Sequence, residues 1–167
     1  MKFLSLPLIL LSFSLFSGYT VFEDGLDEFT DERVIFVALV GDNHKSYSSE
    51  LIGVYCDTDY YINMKLLNGF IANSDPVQSV TLRFDKNEPV KTDFLFVPSR
   101  NTLVTTNTPF ISSFLNELRN SNSLIVKIEG VDEIMRFTDL YDSEKHVADF
   151  INAASEMPAS TCDIYYQ

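Results

Sequence analysis

Residues 77–85 read VQSVTLRFD. Val80, Leu82 and Phe84 fall on one side of an extended chain, and Thr81, Arg83 and Asp85 on the other. That is the period of a strand with one dry and one wet face. Upstream, LIGVYCDTDYYINMKL (51–66) places two β-rich runs around the turn-forming cluster Asp57-Thr58-Asp59, which predicts a hairpin. RVIFVALVG (33–41) is an almost unbroken, β-branched apolar run and reads as a buried central strand. Downstream, KNEP is a turn, and TDFLFVPS (92–99) and NTLVTT (101–106) read as two shorter strands.

The period then changes. TPFISSFLNELRNS begins with Thr108 as a candidate N-cap and Pro109 at the first helical position, and Phe110, Ile111, Phe114, Leu115 and Leu118 share one helical face. SLIVKIEG (123–130) and EIMRFTDL (133–140) return to strand. DSEKHVADFINAASEM (142–157) is a second helix, capped by Asp142 or Ser143, with Val147, Phe150, Ile151 and Ala154 as its buried stripe. Strands in hairpin-like order, interrupted by two helices and without βαβ alternation, exclude a doubly wound parallel sheet. The expected fold is mainly β with two helices (α+β): an antiparallel β-sandwich or rolled sheet with two packed helices.

The chain has 167 residues, 46% of them hydrophobic, enough for one domain with a sizeable core. Its 24 acidic residues against 12 Lys and Arg give a formal charge of −12. That field repels phosphate backbones and anionic membrane surfaces, so no nucleic acid partner is expected. The first 18 residues, MKFLSLPLILLSFSLFSG, place Lys2 before an apolar run that ends in small residues, the pattern of a secretory signal peptide. The run is short for a membrane span, and Tyr19 stands where a lipoprotein signal would carry Cys. The expectation is one mature domain, 19–167, located in the periplasm or outside the cell, with no stable membrane anchor after cleavage. In such a compartment the two cysteines, Cys56 and Cys162, are expected to form a disulfide.

Motifs for chemistry are scarce. Neither His44 nor His146 stands near a Gly-x-Ser-x-Gly elbow or a zinc-ligand pattern, and no glycine-rich phosphate loop occurs. The expectation is no enzyme activity, no cofactor and no metal. FEDGLDEFTDER (22–33) carries paired acids every four residues, but its spacing does not fit an EF-hand loop, and a helix there would stack like charges. YTVFED (19–24) reads as a short strand, and the acidic stretch that follows as a solvated loop leading into the 33–41 strand. Tyr55, Tyr60 and Tyr61, with Tyr165 and Tyr166, form a candidate partner-binding cluster if the two cysteines are joined.

In order, DGLDEFTDERVIFVAL, LIGVYCDTDYYINM, VTLRFD, FVPSRNTL, PFISSFLNELRNSNSLIVKI, MRFTDLYDSEKHVADFINAA and Cys162 resemble the small exported accessory proteins associated with bacterial type VI secretion, of the VasI/TagO kind, or the wider superfamily of exported bacterial β-sandwich domains. The family's Ser-Pro is replaced here by Asp24-Gly25, its second Asp by Glu28, and a Gly after the FTDL strand by Tyr141. The resemblance implies export, no catalysis and work through contacts with protein partners. It marks Asp27, Glu28, Arg83, Asp85 and Ser99 as candidate structural or binding residues, with a structural pairing of a carboxylate such as Asp27 with Arg83 as the simpler role. The other function class is an exported acidic inhibitor of a basic target such as a cell-wall hydrolase. If the leader is read correctly, mass spectrometry of the exported protein will show a chain beginning at Tyr19. A mass retaining residues 1–18 contradicts that reading.

Overall fold

In a computed structural model the described residues are 19–26, 33–41, 51–57, 63–67, 75–132, 134–157 and 162. They form nine strands: β1 (Tyr19–Leu26), β2 (Arg33–Val40), β3 (Leu51–Asp57), β4 (Asn63–Leu67), β5 (Val77–Phe84), β6 (Val90–Val97), β7 (Thr102–Thr105), β8 (Ser123–Ile128) and β9 (Ile134–Thr138). Two helices complete the described fold, α1 (Thr108–Asn120) and α2 (Ser143–Ser155). The strands pair antiparallel throughout, in the order β1-β2-β3-β4-β7-β6-β5-β8-β9.

Of the two architectures left open by the sequence, the rolled sheet is the one observed. Laid flat, eight strand spacings would separate β1 from β9 by about 38 Å. Helix α2 leaves the β9 edge yet packs against β1 and β2 as well as α1, and thirteen residues of helix reach only about 20 Å. The sheet must therefore curl to bring its two ends under one helix. Helix α1 makes the other crossing, from β7 to β8 over the inner faces of β6 and β5. There Phe114 packs on Phe84 and Phe110 on Phe94, with ring centroids 5.4 and 6.3 Å apart.

The core follows the strand period. Val80, Leu82 and Phe84 of β5 are buried, as are Leu124, Val126 and Ile128 of β8 and Met135 and Phe137 of β9. The helices add Ile111, Phe114, Leu115, Leu118, Val147 and Phe150. In β2 the inner residues Ile35, Val37 and Leu39 are buried, and the outer Val34, Phe36 and Val40 are half-buried, which accounts for its unbroken apolar run. Gly53 of β3 lies opposite Ala38. A Cβ there would stand 2.8 Å from the Ala38 Cβ, so only glycine lets β2 and β3 approach this closely.

Two details differ from expectation. The short strand expected over YTVFED (19–24) is β1, and it runs on through Gly25 to Leu26, where a loop was expected, because backbone pairing with β2 continues to the Leu26–Arg33 pair. The cap of α1 is Asn107, whose side-chain oxygen accepts from Phe110 N at 3.2 Å, which moves Pro109 to the second helical position. Asn is the better cap, since its oxygen reaches the free amides of the first turn.

Cys56, on the inner face of β3, is disulfide-bonded to Cys162, with the Cα atoms 6.0 Å apart. Met157 Sδ rests 3.2 Å from Cys56 Sγ and 3.9 Å from Cys162 Sγ. The chain beyond α2 is thus linked covalently to the third strand at Cys162, and Met157, just past the helix end, packs into the same buried sulfur cluster. No described helix is long and apolar enough to cross a membrane.

Candidate functional site: the outer face of the sheet

The outer face has two unlike halves. Over β2 and β3 it is apolar and half-buried: Phe36 stacks on Tyr55 with centroids 5.2 Å apart, and burial pushes the Tyr55 phenol up from its ordinary value. Over β6, β5, β8 and β9 it is exposed and charged.

Antiparallel register sorts this second half into rows, because residues directly opposite in a ladder project to the same side. One row is Arg83, Ile125, Arg136. The next is Lys91, Thr81, Lys127, Ile134. Asp93 and Ser79 follow, with Glu129 N donating to Ser79 O, and then Leu95 opposite Val77. Among the described residues of these rows, four cations (Arg83, Lys91, Lys127, Arg136) stand against two carboxylates (Asp93, Glu129), on a chain whose formal charge is −12.

Both carboxylates already have partners. Ser79 Oγ donates to Asp93 at 2.6 Å, and Lys91 Nζ donates to Glu129 at 2.7 Å, which holds the lysine protonated to higher pH than usual. Arg83, Lys127 and Arg136 are exposed and make no ion pair among the described residues. Leu95 is 61% and Val77 49% exposed, and Ile134 borders the cations.

The expected site residues separate. Arg83 lies on the cationic face. Asp85, in a left-handed conformation (φ 43°), accepts from Asn122 N, Ser123 N and Ser123 Oγ at 2.9–3.2 Å and joins the end of β5 to the start of β8. Its role there is structural. Ser99 lies in the exposed turn Pro98–Arg100 after β6, beyond the Phe96–Pro76 contact and at the other end of β5 from Asp85. From Asp85 to the level of Pro76 the strand spans about 30 Å, and Ser99 lies past that point. Asp27 and Glu28 lie outside the described residues, as do His44, Tyr60, Tyr61, Tyr165 and Tyr166.

Among the described residues of the 22–33 stretch, the acid that the fold engages is Asp24. It forms a two-point pair with Arg33, at 2.8 and 2.7 Å, and Arg33 also reaches Glu156 at the end of α2 at 3.2 Å. Nothing in the spacing of the sequence signals this contact, which spans 123 residues. Lys127 and Arg136 were legible only as wet positions of alternating strands; their grouping with Arg83 depends on register.

Other surfaces offer less chemistry. The cleft between α1 and the β5–β6 turn holds about 70 Å³, with Phe84, Phe110, Phe114 and Val90 among its lining and Glu88 and Glu117 beside them. Small-molecule pockets usually hold about 300–1,000 Å³. Among the described residues no three His, Cys, Asp or Glu side chains are grouped to hold a metal ion. No family model, curated protein or solved structure matches the chain.

The Arg33 guanidinium, hydrogen-bonded to Asp24, holds that carboxyl below its ordinary value of 3.8. A depressed carboxyl stabilises the fold fully above the unfolded value, and the gain is lost as pH falls through the folded value. Both side chains are about a third exposed, so the contribution is at most about 1 kcal/mol. Urea titrations should therefore show Asp24→Asn less stable than the parent at neutral pH, with the difference closing as pH drops below 3.8. A difference independent of pH contradicts the pairing.

Proposed function

We propose that this is an exported, non-enzymatic protein that works through contacts with another protein, made by the outer face of β6-β5-β8-β9. One observation carries the reading: a continuous sheet face whose aliphatic and cationic side chains are solvent-exposed while its opposite side is filled by the core. Interfaces combine apolar area with charges that find partners only on binding. Export rests on the leader pattern and is compatible with the Cys56–Cys162 bond, which persists in oxidising compartments.

A role as an accessory of type VI secretion rests on the ordered resemblance of motifs described above. The alternative of an acidic inhibitor of a basic hydrolase draws on the overall charge of −12. It finds less support at this face, whose unpaired charges have the opposite sign.

A photo-crosslinking residue at Ile134, with one at Glu144 of α2 as control, tests the reading in cells that express the protein. A discrete protein adduct from position 134 and none from 144 is the expected result. Failure to form an adduct at 134 overturns the proposal.

A further inference from the structure

We infer that the cationic face recognises an acidic polypeptide segment, one that alternates carboxylates with apolar side chains. The inference rests on the protein-contact reading above and specifies the partner's chemistry.

Three features carry it. First, Arg83 and Arg136 flank Ile125 in one row, two strand spacings or about 10 Å apart, and Lys127 lies one pleat repeat, about 7 Å, along β8. That leaves an aliphatic centre between unpaired cations, matching carboxylates set on either side of an apolar residue. Second, the patch is bounded: Asp93 and Glu129 close it along the strands, and Leu95 and Val77 lie beyond them. A long polyanion continuing past the cations would meet carboxylates and then apolar surface, whereas a short acidic segment would end within the patch and cover the aliphatics. Third, the remainder of this chain is strongly acidic. Its field opposes any anionic partner, and most strongly a nucleic acid or polyphosphate with many phosphates, whereas a short segment with few carboxylates meets less of that repulsion. Arginine can hold a carboxylate through two-point hydrogen bonds, as it can a phosphate, so the discrimination rests on the bounded patch and on the field of the other acids.

The test uses the mature full chain with three probes: a peptide of alternating Glu and Leu, its Gln/Leu counterpart, and inorganic polyphosphate. The Glu/Leu peptide should bind, the Gln/Leu peptide should not, and affinity should fall as salt rises from about 50 to 200 mM. The combined variant Arg83→Gln, Lys127→Gln and Arg136→Gln changes only exposed side chains, and its thermal midpoint should match the parent's. It should weaken peptide binding about tenfold or more, while Lys145→Gln on α2 leaves it unchanged. The inference is overturned if the Glu/Leu peptide does not bind, if the triple variant binds it equally well, or if polyphosphate binds at least as tightly.

Crosslinking separates the two readings. An adduct at position 134 that survives in the triple variant sinks the acidic-partner inference and leaves the protein-contact reading standing. Absence of an adduct in the parent defeats the protein-contact reading itself.

Discussion

The far end of α2 is fastened to β3, and most of the architecture depends on that attachment. A nine-stranded antiparallel sheet has two edges, and among the described residues β1 pairs only with β2 and β9 only with β8. Helix α2 starts beside β9 and ends where Met157, Cys56 and Cys162 bring their sulfurs together. The Arg33 guanidinium adds a second tie by joining Asp24 of β1 to Glu156. The two ties differ in strength. An exposed ion pair contributes at most about 1 kcal/mol. A disulfide closing a separation of 106 residues removes denatured-state freedom equivalent to about 4.7 kcal/mol in the chain-entropy model, although measured gains are often smaller.

Curling also decides which surface is left for binding. With α1 and α2 on the concave side, the inner residues of β5, β8 and β9 become core, and their outer neighbours have no described layer over them. Strand geometry then sets the spacing of Arg83, Lys127 and Arg136 to within the rigidity of a hydrogen-bonded ladder. Charges presented in this way need little ordering on binding, which lowers the entropic cost of association. The long-range effect of the other acids is to reject extended polyanions, so a local cationic patch on an acidic molecule is more selective than the same patch on a neutral one.

Much of this was legible in the sequence where one physical effect dominated. The alternation of 77–85 gave β5 its buried and wet faces, and the stripe Ile111, Phe114, Leu115, Leu118 identified α1 and its buried side. The disulfide could be read from the even count of two cysteines together with the leader-like pattern of residues 1–18. Where effects competed, reading failed. Gly25 is a poor strand former, yet with Leu26 it extends β1 past the expected 19–24 because pairing with the apolar β2 outweighs propensity. Strand order and register were not legible, since they depend on contacts far apart in the chain. For that reason Arg83 could be marked as wet, but its neighbours Ile125, Arg136 and Lys127 could not be named, and Asp85 and Ser99 were grouped with it despite lying at opposite ends of a strand.

The claim that the α2–β3 attachment holds the sheet curled is tested most directly by hydrogen exchange of the protein before and after reduction of Cys56–Cys162. Faster exchange confined to α2 and strands β1–β3, with β5 and β8 keeping their protection, is the predicted result. Exchange that is unchanged by reduction, or that rises equally in β5 and β8, would contradict the account.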